Sequence, residues 1–412
     1  MFKLRSVIVA AMVVVGVAVL AGCGSSSSSS SSSGSSGGTN TSKGSPFVDL
    51  VSVDKTGPTK VYGLSELAGI EGAAKVINEK QGGILGHKIV VKSINDNGNP
   101  QTGTSELIKY LSSNPKPNNF YPGAESTLEG ALIPVAARHG LLMCAKGDGE
   151  ELFAPGKVSG YPLGFSVQGT VPPLNEAVAE FMKKKGIKKV GILLGEYAYA
   201  EGELPIIEKA LDKQGIAHTV VKASLTATSL TPQLDQLKSN GAEAIYAALV
   251  GASSGYALAA RSQLGWDVPL VGEGSFSGTD LTKTVPASQL KNAYITLYPD
   301  AVTNTDVPGV AVMKETLGED ALEKFGVPID VIGDGWDTLV VCKVGAEKAK
   351  SIEPEKIAKA LEEAGEFTDP LMTEYKSVKY SPEDHENFAP KPSDFPIVPI
   401  APFKAGQVEA AK

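Results

Sequence analysis

Side chains that most metal sites require are scarce in this sequence of 412 residues, which has three cysteines and four histidines. The histidines are His87, His139, His218 and His385, and they are scattered without the spacing of metal ligands. Zinc and related metals are held by clustered imidazole and thiolate groups. The sequence therefore predicts no metal site, and nothing in it calls for a cofactor.

Cysteine is too rare to form a disulfide framework, since only Cys144 and Cys342 follow residue 23. Both lie in apolar runs, LLMCAK and TLVVCKV. Buried cysteines in such runs behave as small apolar side chains, so we expect two free thiols. An exported compartment would also permit a disulfide, and that alternative stays open.

Basic clusters are also absent, apart from the run KKKGIKK at 183–189. The formal net charge is −8. Nucleic-acid backbones attract basic surfaces, and nucleic-acid binding is therefore excluded as a function. The lysine run is expected at the solvated end of a helix, just before a strand.

Long apolar runs are missing after residue 21, because no later run reaches the roughly 18 residues that a membrane helix needs. The body of the chain is therefore expected to be soluble. At the start, Lys3 and Arg5 precede an apolar stretch from Val7 to Ala21. This arrangement is typical of the charged and apolar regions of an export signal.

The quartet LAGC at residues 20–23 resembles the lipobox of bacterial lipoproteins. The resemblance implies that residues 1–22 are a lipoprotein signal peptide and that Cys23 is acylated through its sulfur. The protein would then be held at the outer face of the cytoplasmic membrane by lipid alone. The alternative is an ordinary signal peptide with a stray cysteine. Residues 23–45 are rich in serine and glycine and predict a flexible tether with a reach on the order of 25 Å.

From residue 47 onward, short apolar runs alternate with stretches of helical periodicity, such as Leu67, Ile70, Ala74 and Ile77. Strand and helix in alternation are typical of an α/β fold, in which helices cover both faces of a parallel sheet. The predicted strands span 47–53, 88–94, 118–123, 141–145, 189–195, 218–224, 244–250 and 269–273.

These strands fall into two groups, which are separated by a break rich in glycine and proline at 146–162. After residue 273 the pattern changes to a further strand, three helical segments and a proline-rich tail. These segments are the strand 293–298 and helices near 308–325, 333–349 and 354–364. This part is too short for a third lobe, so we expect it to cross between the first two.

We therefore predict two doubly wound parallel-sheet lobes, joined by crossing hinge segments and separated by a cleft. The first lobe is predicted to comprise 46–165 and 299–365, and the second 166–298 and 366–412. Ligands of open α/β sheets bind beyond the carboxyl ends of the strands. The loops at those ends are rich in small, hydroxylated, acidic and aromatic residues, which suit a small polar molecule.

Five stretches of the chain stand out together. They are GIEGAAKVINEKQGGILGHKIVVKSINDNGNP at 69–100, GAESTLEGALIPVAARHGLLM at 123–143, YAEG at 199–202, LVGEGSFSG at 270–278 and YSPEDH at 380–385. The chain resembles the type I solute-binding proteins of bacterial ABC importers, in particular the leucine/isoleucine/valine-binding group. This resemblance implies the type I periplasmic binding protein fold, capture of a small solute by lobe closure without catalysis, an ABC permease as partner, and a monomeric state.

The resemblance also implies a ligand site. In the family a serine after the third strand holds the ligand's carboxylate, and the matching residues are Ser126 and Thr127 at a helix start, where free N–H groups favour an anion. Glu273 takes the place of the acid that receives an α-ammonium group. Tyr62 and Tyr199 match tyrosines that line the cleft. Thr127 as a mere helix cap, Glu273 as a surface acid and the tyrosines as ordinary aromatics are the open alternatives.

One departure from the family concerns the loop after the fourth strand. The family has small residues ending in a threonine there, whereas this chain has Gly147-Asp148-Gly149. A carboxylate that opposes a carboxylate ligand is costly unless it is neutralised. Asp148 therefore puts a plain aliphatic amino acid in doubt. A ligand with extra amino, amide or hydroxyl groups fits equally well.

Two other functional classes remain. The stretch GASSG at 251–255 matches the nucleophile elbow G-x-S-x-G, with Ser253 as the nucleophile. Asp334 or Asp337, and then His385, follow in the chain order of a hydrolase. An exported serine esterase is therefore an alternative. A sensor lipoprotein that hands its ligand-bound form to a signalling receptor is another.

Overall fold

The computed structural model of the protein describes residues 43–57, 59–123, 125–147, 161–168, 171–303 and 306–409. The predicted signal peptide, Cys23 and most of the predicted tether lie outside these residues. The described residues form an α/β fold with a three-stranded and a six-stranded sheet of mainly parallel strands and two sheets of two strands each. This architecture confirms the predicted fold class.

Nine of the thirteen strands in the described residues lie close to the apolar runs that predicted them, with ends that differ by a few residues, and the strands at 164–166, 366–367, 378–379 and 397–399 were not predicted. The strands are β1 (Phe47–Val53), β2 (Ile89–Asn95), β3 (Asn119–Tyr121), β4 (Met143–Ala145), β5 (Gly164–Ser166), β6 (Lys189–Gly195), β7 (Ala217–Ala223), β8 (Ala244–Ala248), β9 (Leu270–Gly272), β10 (Ala293–Thr296), β11 (Glu366–Phe367), β12 (Val378–Lys379) and β13 (Ile397–Pro399).

The described residues contain eleven α-helices, and those predicted near 333–349 and 354–364 begin and end within three residues of the predicted positions. The helices are α1 (Lys60–Gln81), α2 (Pro100–Ser113), α3 (Ser126–His139), α4 (Val171–Lys184), α5 (Ala198–Lys213), α6 (Thr231–Ser239), α7 (Ala252–Gln263), α8 (Gly309–Leu317), α9 (Glu319–Phe325), α10 (Asp330–Ala349) and α11 (Pro354–Glu362). The expectation of one helix over 308–325 was wrong. Gly318 has a positive φ of 83° and separates α8 from α9, because that backbone conformation cannot continue a helix.

The first sheet has the strand order β2-β1-β3, with all pairs parallel. A backbone hydrogen bond of 2.9 Å from Phe120 N to Leu142 O joins β3 to the segment that leads into β4. Strands β4 and β5 then pair in parallel. We call this sheet, together with the helices α1 and α10 that lie beside it, the first lobe.

The second sheet has the order β7-β6-β8-β9-β10-β13. Its strands are parallel except β13, which runs antiparallel to β10 at the edge. The chain thus returns from the region of α10 and α11 to this sheet by way of β13. We call the six-stranded sheet and its helices the second lobe.

Helices α1 and α10 pack closely against each other and carry several residues of the site described below. Glycine makes this approach possible, because a Cβ at Gly69 would clash with the backbone of Ile332, and one at Gly335 with the backbone of Glu66. Trp336 is fully buried beside them and donates from Nε1 to Leu371 O at 2.8 Å. The two helices are therefore held in a fixed register.

The two cysteines of the body form a disulfide, so the expectation of free thiols was wrong. Cys144 lies in β4 and Cys342 in α10, with Cα atoms 5.9 Å apart, which is within the span of such a bond. They are separated by 198 residues in the sequence, and only the packing of α10 on β4 brings them together. The disulfide links two elements of the first lobe.

Candidate ligand-binding cleft

A cavity of about 330 Å³ lies between the two lobes, which is at the lower end of the range for small-molecule sites. Its lining comes from loops and helix ends that follow strands of both sheets. Three of the predicted residues line it: Tyr62, Ser126 and Tyr199. Cavity and strand ends therefore coincide, as expected for an open α/β sheet.

The predicted anion site at the start of α3 is already occupied by a side chain of the protein. Glu125 precedes the helix and accepts hydrogen bonds from Thr127 N at 3.1 Å and Leu128 N at 3.2 Å. Thr127 itself is exposed and does not line the cavity, whereas Ser126 is buried and does. Glu125 also lines the cavity, so this wall presents a carboxylate where the resemblance implied free N–H groups.

Lys146 is the first residue after β4 and lines the cavity with only 9% of its surface exposed. Its ammonium group lies 3.1 Å from Asp334 Oδ2 and 3.6 Å from Glu66 Oε1. Both carboxylates are buried, on α10 and α1 respectively. The sequence analysis missed Lys146, although its position directly after a strand of a parallel sheet was a signal that could have identified it.

Asp330 is a second lining residue that the sequence analysis missed. It opens α10 and is 9% exposed. Burial and the neighbouring Asp334 raise the pKa of Asp330 to about 7, while Lys146 acts in the opposite direction. Its position is three residues before the predicted start of the helix, where the sequence gave no reason to expect a ligand contact.

Tyrosines of the second lobe form the other wall of the cavity. Tyr197 and Tyr199 stand at the start of α5 with stacked rings whose centroids are 6.3 Å apart. Tyr298 follows β10, and its hydroxyl accepts a hydrogen bond of 2.9 Å from Gln168 Nε2. Leu225 and the backbone around Gly274 complete a wall that is mainly aromatic and apolar.

Glu273, the predicted ammonium receptor, lies directly behind this wall. Its side chain is fully buried, and Oε2 accepts from Ser275 N at 2.8 Å. The hydroxyl of Tyr197 lies 3.5 Å from Oε1. The following residues, Gly274 and Ser275, line the cavity in its place.

The two lobes touch at the edge of the cavity. Tyr62 on α1 packs so tightly against Gly278 of the second lobe that a Cβ at Gly278 would clash with the tyrosine hydroxyl. Both residues line the cavity. Tyr62 therefore bridges from one lobe to the other at this edge.

Asp148 lies outside the described residues, so its side chain is not part of this site description.

The residues of the esterase alternative are described, and they do not form a triad. Ser253 donates to Val250 O at 2.7 Å, and His385 bonds Gly164 O and Glu362 instead of an aspartate. Asp337 accepts from Thr373 and Glu374, and Asp334 pairs with Lys146. A serine hydrolase needs a serine hydrogen-bonded to a histidine, which in turn is hydrogen-bonded to an aspartate. The esterase alternative was therefore wrong.

Two further findings concern the described ranges only. No group of histidine, cysteine, aspartate and glutamate in them has an arrangement that could hold a metal ion. None of their helices combines the length and the apolar character of a membrane span.

Residues 51–390 match the family model described as periplasmic binding protein. Leu/Ile/Val-binding protein homolog 3 of Brucella melitensis is 28% identical over 335 residues, which is 79% of this chain and 84% of that protein. Leu/Ile/Val-binding protein BraC3 of Rhizobium johnstonii is 25% identical over 320 residues, which is 76% of this chain and 82% of that protein.

Solved structures show the same fold. A periplasmic binding protein type 1 from Bordetella pertussis has a TM-score of 0.71 at 19% identity, covering 87% of this chain and 100% of its own. The leucine-binding protein LivK from Thermotoga maritima has a TM-score of 0.66 at 18% identity, covering 81% of this chain and 93% of its own.

Proposed function

This chain belongs to the periplasmic binding protein family, and we propose that it is the extracytoplasmic solute-binding component of an ABC importer. One observation carries the proposal: a cavity of about 330 Å³ at the strand ends of both sheets, bordered by a direct contact between the lobes. Such a cavity suits a small solute that is held and released without chemical change. The matched relatives are named as binding proteins, which supports the same conclusion.

The solute is a small polar compound, an amino acid or a related amine, amide or hydroxylated molecule. The names of the relatives, Leu/Ile/Val-binding proteins, support the amino-acid class. The cavity differs from a purely aliphatic site, because Lys146, Asp330 and Glu125 line one wall. A solute with polar or charged groups at that wall fits these residues better than a hydrocarbon side chain does.

Closure of the two lobes is the proposed working motion. A solute that contacts both walls stabilises the closed form relative to the open one, and the closed form is what a permease in the cytoplasmic membrane recognises. The contact of Tyr62 with Gly278 supports this idea, because it exists only while the lobes are together. The hinge consists of the segments that cross between the lobes, and the lobe boundaries predicted from the sequence remain part of the proposal.

In this proposal the protein works as a monomer at the outer face of the cytoplasmic membrane, held there by a lipid on Cys23. Support comes from the LAGC quartet and the serine-rich segment that follows it. Cys23→Ser should then release the protein from membranes and abolish incorporation of labelled fatty acid. Label that still migrates with the variant would contradict the lipid anchor while leaving the binding function intact.

A thermal-shift screen tests the binding function. Purified protein is heated with single amino acids, amides, polyamines, sugars and aromatic acids, and a true solute raises the melting temperature without being consumed. At about 100 times its dissociation constant it adds about 2.7 kcal/mol to the free energy of unfolding. If no solute of any class stabilises the protein, the proposed function is wrong.

A further inference from the structure

Asp330 is a buried acid that faces the cavity with an incomplete set of partners. It is 9% exposed, and it lines the cavity at the first turn of α10. Its Oδ1 atom is buried and accepts no hydrogen bond from the residues that the structure describes. A carboxylate oxygen without a donor in such a place carries a large desolvation penalty. Because Asp330 lines the cavity, a solute bound there is a source of the missing donor.

Lys146, which acts electrostatically on Asp330, is shared with two other acids. Lys146 is paired with Asp334 at 3.1 Å and with Glu66 at 3.6 Å. When all are ionised, one lysine faces three carboxylates on this wall. Among the residues that the structure describes on this wall, acidic groups therefore outnumber the single lysine.

The cavity also lacks an open place for a carboxylate at the start of α3. Glu125 occupies the N–H groups of Thr127 and Leu128 with its own side chain. A negatively charged solute would have to displace Glu125 and would then face a second carboxylate in Asp330. Like charges that share one cavity of low dielectric constant repel each other at a high cost in free energy.

The opposite wall suits a cation as well. Tyr197, Tyr199 and Tyr298 line it, and aromatic rings attract positively charged groups through the negative potential of their faces. The stem of an alkylammonium ion would contact the apolar parts of these rings. Both walls therefore favour the same kind of solute.

We propose that the solute of this cleft is a small organic cation with a net positive charge, whose primary ammonium group binds Asp330. This inference rests on the proposed function, since it names the class of solute for the same cavity. The ammonium donates to Asp330 and adds positive charge beside these acidic groups. Basic amino acids and diamines share this chemistry, and the experiment separates them.

The acid–base behaviour of the site adds an independent readout. The titratable groups that face Asp330 are Asp334 on its own helix, Lys146 after β4, Asp300 and Tyr298 after β10, and Glu374. A raised pKa of about 7 leaves Asp330 partly protonated in the unliganded protein at neutral pH. An ammonium ion favours the ionised form, so binding releases protons and becomes tighter as the pH rises from 6 towards 8.

Titration calorimetry with three probes tests the proposal. L-Ornithine and putrescine both carry a net positive charge, whereas L-norleucine has the shape of ornithine but no net charge. We expect ornithine or putrescine to bind at least tenfold more tightly than norleucine. Tighter binding of ornithine identifies a basic amino acid, and tighter binding of putrescine identifies a diamine. Norleucine binding as tightly as both cations would overturn the proposal.

Variants then test the role of Asp330. Asp330→Asn should weaken binding of the preferred cation at least tenfold, by a larger factor than it weakens binding of norleucine, and should abolish the proton release. Asp330→Glu should retain part of the affinity, and thermal melts of both variants show whether they are folded. The control Asp306→Asn removes an acid whose side chain is 90% exposed and should change nothing. An unchanged affinity in folded Asp330→Asn would overturn the proposal.

The result remains distinguishable from failure of the proposed function. If neither cation binds but an uncharged or zwitterionic solute from the thermal screen does, the inference about charge is wrong and the binding function stands. If no solute binds at all, both are wrong.

Discussion

The two walls of the cleft differ in the chemistry they offer. The first-lobe wall, which we call the charged wall, contains Glu125, Lys146 and Asp330. The second-lobe wall, which we call the aromatic wall, contains Tyr197, Tyr199 and Tyr298. Buried charges discriminate strongly between solutes of different charge, whereas aromatic area attracts many solutes with little discrimination. If the proposed function is right, we expect the charged wall to contribute most of the selectivity and the aromatic wall much of the contact area.

The largest effect is expected from breaking the charge balance of the charged wall. Lys146→Met leaves Glu66 and Asp334 buried without their common cation and should lower the free energy of unfolding by about 3 to 5 kcal/mol. Urea denaturation measures this loss. Lys109→Met is the matched control, because its ion pair with Glu106 is exposed and should contribute less than about 1 kcal/mol. Equal small effects in both variants would show that the charged wall is not a coupled network.

A smaller effect is expected from cutting the covalent link within the same wall. The disulfide between Cys144 and Cys342 ties β4, which precedes Lys146, to α10, which carries Asp330. Replacing both cysteines by alanine should cost about 2 to 5 kcal/mol of stability, as is common for native disulfides. Hydrogen exchange should show a larger loss of amide protection in the first lobe than in the second lobe. A uniform loss would contradict a role confined to the first lobe.

The pH dependence of stability gives a third test. Burial raises the pKa of Asp330 and of Asp337 to about 7. At pH values between the ordinary pKa of a carboxyl group and about 7, the folded protein therefore binds more protons than the unfolded chain. Their contribution to stability is therefore present at low pH and is lost as the pH rises through about 7. Denaturation of wild type and Asp330→Asn at pH 5 and pH 8 should show a smaller decrease in the variant. Identical decreases would contradict the raised pKa.

The smallest effect is expected from opening the anion site. Glu125→Ala removes the cap of α3 and should cost about 1 kcal/mol of stability. It also frees the N–H groups of Thr127 and Leu128, which then favour a carboxylate. Calorimetry should show a gain for ornithine relative to putrescine, because only ornithine has a carboxylate. No change in that ratio would mean that Glu125 does not control the anion site.

Sequence reasoning succeeded where the signal was local. The apolar runs from 47–53 to 269–273 predicted strands because period and length identify them within a few residues. The resemblance to solute-binding proteins led to Tyr62, Ser126 and Tyr199, which line the cavity. The strand predictions rest on patterns that are visible in a short stretch of sequence, and ligand binding by the three lining residues stays a prediction.

The charged wall could not be predicted in this way, because it is assembled over long distances. Lys146 meets Asp334 only after α10 has packed on α1 and β4, nearly two hundred residues further along the chain. The disulfide has the same cause, since its cysteines are 198 residues apart. The occupation of the α3 terminus by Glu125 depends on a loop conformation that composition does not determine. Pairing between distant residues carries no periodic signal.

Hydrogen exchange with the solute identified by the thermal screen tests the central claim, that one small molecule is held between both walls of this cleft. The account predicts that peptides containing Lys146 and Asp330 on the charged wall, and Tyr197 and Tyr199 on the aromatic wall, slow their exchange together when the solute is added. Protection confined to one wall, or found only at the surface groove formed by residues 279–289, would contradict it.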